Sequence, residues 1–398
     1  MSHFHTGNGF YDDGDEIGWA ACGTRIQPLP QVNTSRSWVE LDGAALRWNL
    51  SVARGRLASC VKVMAVVKAN AYGHGMRGAV EAIQGMVDEF AVANLEEAKQ
   101  LWEWVDASRI TILSPALPAE MTEISDRGFV PMVSAWEEAH AYHRLRERRG
   151  PMEIHLCIDT GMGRMGVWEE DALALARAIR GLSGVRVKSL ASHLPCADED
   201  GGYTEDQLLR FHRICAEIRA DCLPDAQIQI ENSAGILGYA SLAGDVVRAG
   251  LMLYGVSPRA EFQGELKPVL SWKARVSFVR EVGTGRSLSY GRTYITAQPM
   301  RVATLSVGYA DGYQRHLSGS GAEVLVGGLR CAVVGRVTMD QILVDVSGVP
   351  GVAAGSEVVL VGRQGEEEVS ATELATKAGT IPWEIFTGIG PRVERHWV

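Results

Sequence analysis

The chain has no C-x-x-C pair and no zinc-ligand spacing among its seven cysteines, which leaves no candidate metal residues and reads as a set of reduced thiols. No apolar run approaches the roughly 20 residues that a membrane span requires, so no membrane contact is expected. Lys and Arg are dispersed against a net charge of -9, without a basic stripe to meet nucleic acid. Residues 1–33 carry Asp12, Asp13, Asp15 and Glu16 and lack the positive start and apolar core of a secretory leader. They read as a flexible extension on a cytoplasmic protein.

A length of 398 residues suits a barrel of about 250 residues plus a second domain. From Trp38 onward, short apolar runs alternate with Ala-, Leu- and Glu-rich stretches of helical spacing. Residues 37–42 read as a short strand and 43–57 as a helix. Buried parallel strands are expected at 61–67, 89–93, 110–113, 129–133, 153–158, 187–192, 228–232 and 245–249. Eight strands with intervening helices predict a (β/α)8 barrel. Thr204-x-x-Gln207 reads as a capping box ahead of Leu208, Leu209 and Phe211. After Pro268 helical periodicity gives way to β-rich runs punctuated by glycine, at 274–282, 300–307, 323–326 and 342–346, with one capped helix at 372–378. The expected division is an extension over 1–35, a barrel over 36–265 and a mostly β domain over 266–398.

Polar residues then fall at the C-terminal ends of the expected barrel strands, the rim on which such barrels carry their sites. Lys68 follows the first strand, and Gly73 and Gly75 bracket the turn before a helix over 76–86. Asp159 to Arg164 follows the fifth strand, His193 the sixth, Asn232-Ser233 the seventh, and Arg248 ends the eighth. Each has a plain alternative: a solvated lysine, a structural histidine, a surface arginine, a helix-capping serine. Their convergence on one rim favours a site. Asn232-Ser233-Ala234-Gly235 supplies a hydroxyl and free N–H groups at a helix start, suited to a phosphate. A lysine facing a phosphate site across a barrel mouth points to pyridoxal phosphate, whose aldehyde condenses with an amine.

Seven segments in register carry a resemblance: VVKANAYGHG (66–75), DTGMGRMG (159–166), NSAG (232–235), VRAGLMLYG (247–255), LSYGRTY (288–294), GYADG (308–312) and GRVTMDQ (335–341). From about residue 36 to the C-terminus the chain resembles the alanine racemases. That resemblance implies pyridoxal 5'-phosphate as cofactor, a small amino-acid substrate, D-alanine supply for peptidoglycan, and a head-to-tail homodimer with shared active sites. By position, Lys68 matches the cofactor-holding lysine, and Tyr72 and Ser233 match phosphate contacts. Arg248 matches the arginine at the pyridine nitrogen, His193 the histidine between it and the catalytic tyrosine, and Tyr290 that tyrosine. Asn232, Gly250 and Tyr254 fall among the cofactor-binding positions. Arg164 and the Met339 main chain match substrate-carboxylate contacts, and Tyr309 and Asp340 match entrance residues given by the other chain.

Racemisation removes a proton from one face of a carbon and returns one to the other, so two acid-base groups must flank it, here Lys68 and Tyr290. An arginine at the pyridine nitrogen, in place of a carboxylate, weakens the electron sink and disfavours side reactions. Barrel-type amino-acid decarboxylases place a carboxylate there and lack the Tyr290 motif. A non-catalytic pyridoxal phosphate-binding protein ends after the barrel. Two positions depart from the family: Cys157 stands where many members carry a carbamylated lysine that orients the arginine, and Pro391 stands where a gate tyrosine is frequent. The second leaves a broader substrate range, including serine, as the alternative.

Overall fold

The computed structural model describes residues 34–398, and the extension expected at 1–33 lies outside them. Eight parallel strands run side by side in the order Val246–Ala249, Lys62–Val66, Glu89–Val92, Ile110–Ile112, Val130–Val133, Met152–Asp159, Val185–Ala191 and Gln227–Gln229. The Asp245 N–H donates to Ile228 O at 2.8 Å and the Arg248 N–H to Glu231 O at 2.9 Å, which joins the last strand to the first. The expected barrel is present. Its strands are near-continuous apolar runs because helices cover the outer face and side chains fill the inside.

The helices follow from their apolar spacing and caps. Asp42 accepts the N–H groups of Ala44 and Ala45 and starts the helix Gly43–Gly55, which buries Leu46, Leu50 and Ala53 on one face. The capping box expected at Thr204 is not the helix start. Asp200 caps the Tyr203 N–H, the helix runs Gly201–Asp221, and Thr204 lies inside it with its hydroxyl turned back to Asp200 O. Two consecutive glycines let the helix begin earlier than their propensity suggests, once Asp200 satisfies a free donor. Gln207, freed from capping, points inward.

The second part is a nine-stranded sheet in which Leu270–Val282 is the longest strand. Glu357–Gln364 pairs with both Leu270–Val282 and Glu323–Val326, so six strands close into a ring. Four of the sheet's strands are not among the expected runs: Leu329–Val334, Glu357–Gln364, Glu367–Val369 and Glu394–Trp397. Ser37–Leu41 precedes the barrel in sequence yet pairs with Leu270–Val282 and Glu394–Trp397 in this sheet. Trp272, fully buried, donates its indole N–H to Ser37 Oγ at 2.9 Å and locks that strand in place. The last helix, Pro382–Gly388, and Arg395 cross back to the barrel rim, and both touch the segment after Lys68.

Candidate active site

Lys68 lies just beyond its barrel strand, as expected. The strand ends at Val66, and Lys68 opens a five-residue turn, Lys68–Tyr72, in which Ala69, Asn70, Ala71 and Tyr72 all have φ between 52° and 54°. This is a turn of left-handed helix built without glycine. The Cβ penalty in that conformation is roughly 1–2 kcal/mol per residue, so the surroundings must impose it. Asn70 Oδ1 accepts the Met76 N–H at 2.7 Å, and Arg395 Nε donates to Gly73 O at 2.7 Å. A Cβ at Gly73 would lie 2.1 Å from Phe386 O, which shows how tightly the last helix closes on the turn.

The turn delivers Lys68 into a cavity of about 400 Å³ at the C-terminal mouth of the barrel. Tyr72, Arg164, His193, Asn232, Ser233, Arg248 and Gly250 share its lining, contributed by the ends of five barrel strands and the segments after them. Burial first, then the guanidinium groups of Arg164 and Arg248, lower the pKa of the Lys68 amine, against the pull of the Glu97 carboxylate. A lowered value is what an amine needs to serve as a base near neutral pH.

Arg248 is held from several sides. Its Nη1 donates to Gln229 Oε1 at 2.9 Å, and Nη2 reaches Ile230 O at 3.1 Å, Ser192 O, and His193 Nδ1 at 3.3 Å. Burial, with Arg248, Arg164 and Lys68 nearby, brings His193 down to about 3, so its ring is neutral. Because Nδ1 faces a guanidinium that only donates, the proton sits on Nε2. Behind Gln229 a polar chain enters the barrel core: its Nε2 donates to Ser189 Oγ at 2.6 Å and approaches His155 Nδ1 at 3.1 Å, and His155 Nε2 lies 3.0 Å from Thr111 Oγ1. Neither Gln229 nor His155 was singled out from sequence. A polar residue inside an apolar strand was the available signal, and only the fold shows that it supports Arg248.

On the other side the helix Ser233–Gly238 starts where the sequence placed a helix start, but Asn232 rather than Ser233 caps it, through the Gly235 N–H. Ser233 Oγ accepts the N–H groups of Gly250 and Met252 at 3.0 and 3.2 Å, which leaves its own proton to donate. Tyr72 is buried and pushed up to about 12, so its phenol is a neutral donor. A Cβ at Gly250 would stand 2.7 Å from the Tyr72 hydroxyl and 3.8 Å from Ser233 Oγ, so a side chain there would fill the cradle between them. Two hydroxyl donors converging beside a residue that must stay small fit a bound phosphate. Tyr254 lies behind the wall, its hydroxyl donating to Val66 O at 2.9 Å and its ring 4.8 Å from that of Tyr72.

Asp159 shapes the loop that carries Arg164, accepting the N–H groups of Gly161 and Gly163 on one oxygen and of Arg164 on the other. Burial pushes the Cys157 thiol up to about 11, so it is uncharged and cannot act as the anion that a carbamylated lysine would be. Its Sγ contacts Met165 O at 3.9 Å, on the same loop. Thr160 Oγ1 takes a hydrogen bond from Gln207 Nε2 at 2.8 Å and lies 2.8 Å from Ser192 Oγ, tying this loop to the His193 segment.

Besides Tyr254, four predicted site residues do not line the cavity of this chain. Tyr290, Tyr309 and Met339 are exposed, and Asp340 is exposed and paired with Arg392 at 2.9 Å. Trp383, from the last helix, does line the cavity, the one lining residue beyond Pro258. Sequence reading missed it, because nothing local to residues 381–388 places that helix over the barrel mouth.

The alanine racemase N-terminal domain model matches residues 41–258 and the alanine racemase C-terminal domain model residues 269–397. The chain belongs to the alanine racemase family. The alanine racemase of Halothermothrix orenii is 39% identical over 374 residues, covering 92% of this chain and 97% of its own. Among solved structures, the alanine racemase from E. faecalis superposes with a TM-score of 0.85 at 32% identity, covering 92% of this chain and 98% of its own. The Bartonella henselae enzyme of the family, whose structure carries covalently bound pyridoxal phosphate, gives a TM-score of 0.84 at 28% identity, covering 92% and 100%. The expected architecture, a barrel followed by a mostly β part, is that of this family.

Proposed function

We infer that this chain is a pyridoxal 5'-phosphate-dependent alanine racemase that interconverts L- and D-alanine. The observation that carries the reading is the Lys68 amine in one cavity with the hydroxyl cradle of Tyr72 and Ser233 and with Arg248. When bound, the cofactor withdraws electrons from the substrate α-carbon and makes its proton removable. Lys68 would hold that cofactor through Nζ, and Tyr72, Ser233 and the N–H groups at the start of the Ser233–Gly238 helix would donate to its phosphate. Asn232 and Gly250 keep that cradle in shape, and Tyr254 backs it through the Tyr72 ring. Arg248 would face the ring nitrogen, where a guanidinium, which only donates, would leave that nitrogen unprotonated. Arg164 and the Met339 main chain orient the substrate carboxylate.

Lys68 Nζ moves the proton on one face and a Tyr290 oxygen on the other. The exposure of Tyr290, Tyr309, Met339 and Asp340, away from the cavity of their own chain, supports a homodimer in which the partner subunit's Tyr290 completes each site. His193, neutral and with Nε2–H free to donate outward, would steady the phenolate form of that tyrosine. In this division residues 36–265 bind the cofactor and 266–398 supply the second base. No helix among the described residues is long and apolar enough to cross a membrane. A cytoplasmic setting and supply of D-alanine for peptidoglycan complete the proposal.

The test is to load purified protein with pyridoxal phosphate, follow chiral products from L-alanine and other L-amino acids, and reduce the loaded protein with borohydride. Racemisation of alanine and a reduced adduct on the Lys68 peptide are expected. An adduct on any other lysine overturns the assignment.

A further inference from the structure

The left-handed turn after Lys68 cannot satisfy all its own backbone donors. Within it, Ala71 N–H donates to Val67 O and Gly73 N–H to Ala69 O, each at 2.8 Å, but the Ala69 N–H lies at the start of the turn, where no residue of the turn can accept it. That N–H donates to Glu97 Oε1 at 2.8 Å, and the other oxygen of the same carboxylate, Oε2, accepts the Ala93 N–H at 2.8 Å. Ala93 directly follows the neighbouring barrel strand Glu89–Val92. One carboxylate therefore ties the strained turn to the end of an adjacent strand.

Glu97 is itself anchored. It lies in the first turn of the helix Leu95–Leu101, and its backbone N–H donates to the Asn94 side chain at 3.0 Å. Its two oxygens thus stand at fixed points, and both accept from main chain. We propose that Glu97 is a positioning residue that caps the left-handed turn from outside and so fixes where the Lys68 amine stands in the cavity. This rests on the reading of Lys68 as the cofactor-holding lysine. Glu97 also places a carboxylate among the leading charges that act on that amine, opposite Arg164 and Arg248.

The structural role separates from a purely electrostatic one through glycine. Four residues hold φ near 53° without being glycine, so loss of the outside cap lets the turn relax. Glycine at position 69 adopts that φ without a Cβ penalty and should restore the turn after the cap is lost. A charge effect would gain nothing from it.

The experiment compares parent, Glu97→Gln, and Glu97→Gln combined with Ala69→Gly in the full chain. In Gln only one acceptor remains, and its NH2 faces a backbone N–H. Amide exchange over residues 68–72 of the cofactor-free protein, read by mass, should rise at least tenfold in Glu97→Gln. In the loaded enzyme kcat for alanine should fall about tenfold to a hundredfold, the scale of a misplacement near 1 Å, with KM changing much less. Adding Ala69→Gly should return several-fold of the lost kcat. Exchange equal to the parent's, or a loss of kcat that glycine does not relieve, overturns the proposal. If Glu97→Gln yields no folded protein, Glu97→Asp, which keeps the charge but is too short to span both amides, is read by the same exchange and glycine comparison. If the parent carries no cofactor on Lys68, the functional reading fails, while exchange in the cofactor-free protein still decides what Glu97 does.

Discussion

His74 and His155 are buried and His193 is half-buried, and loss of solvent is the leading cause that holds each well below the ordinary imidazole range, His74 at about 4 and His193 at about 3. In the unfolded chain each titrates near 6.5. Between about pH 6.5 and the folded values the unfolded chain binds more protons, so stability falls as the pH falls through that window and is complete above it. His74 gives the cleanest case, since its Nδ1 bonds Tyr72 O at 2.9 Å and its Nε2 has no partner. Lowering the pH from 6.5 to 5 should cost roughly 2 kcal/mol through this residue. Urea unfolding of cofactor-free protein at the two pH values should show a slope that His74→Phe makes shallower by about that amount; an unchanged slope would mean that His74 does not enter the folded core uncharged. At this scale much of the site was legible: Lys68, Arg164, His193, Ser233 and Arg248 stood at strand ends and do share one cavity. Glu97, Gln229 and Trp383 were not, because a carboxylate on a helix, an amide in a strand and a tryptophan near the C-terminus acquire their roles only from what folds against them.

The strand-turn-helix unit around Lys68 works because another element presses on it. Gly73, with φ of 78°, passes so close to Phe386 O that no side chain fits, and Arg395 binds the Gly73 carbonyl from the same direction. Gly73→Ala meets both the unfavourable φ and the main chain of the Pro382–Gly388 helix. It should destabilise by about 3 kcal/mol or more, whereas Gly85→Ala, which meets nothing within 4 Å, should stay within about 0.5 kcal/mol. Thermal unfolding of the two variants beside the parent tests this, and equal behaviour would show that the helix does not bear on the turn. The barrel strands were readable because long parallel strands are apolar throughout. Leu329–Val334 and Glu394–Trp397 were not, since Arg330, Glu394, Arg395 and His396 interrupt them and they qualify as strands only by pairing.

For the molecule as a whole, the shared-site proposal makes a quantitative claim about mixed dimers. Lys68→Ala and Tyr290→Ala homodimers should each be nearly inactive, because every site lacks one base. After subunit exchange at equal amounts, half the dimers are mixed, and each has one site with both lesions and one with none. Recovered alanine racemisation should approach about a quarter of the parent's. Exchange confirmed by mass with no recovered activity would place both bases in one chain.

Sequence alone determined the barrel, the change to β texture after Pro268, and the motif series that places Lys68 and its companions, because periodicity and short motifs are local properties. It could not determine that Ser37–Leu41 belongs to the β sheet, that Asp200 rather than Thr204 starts its helix, or that the turn after Lys68 is left-handed. Tertiary structure decided these because each depends on a partner distant in the chain: Trp272 for the first strand, Thr160 for the inward-facing Gln207, and Glu97, Phe386 and Arg395 for a backbone conformation that its own residues disfavour.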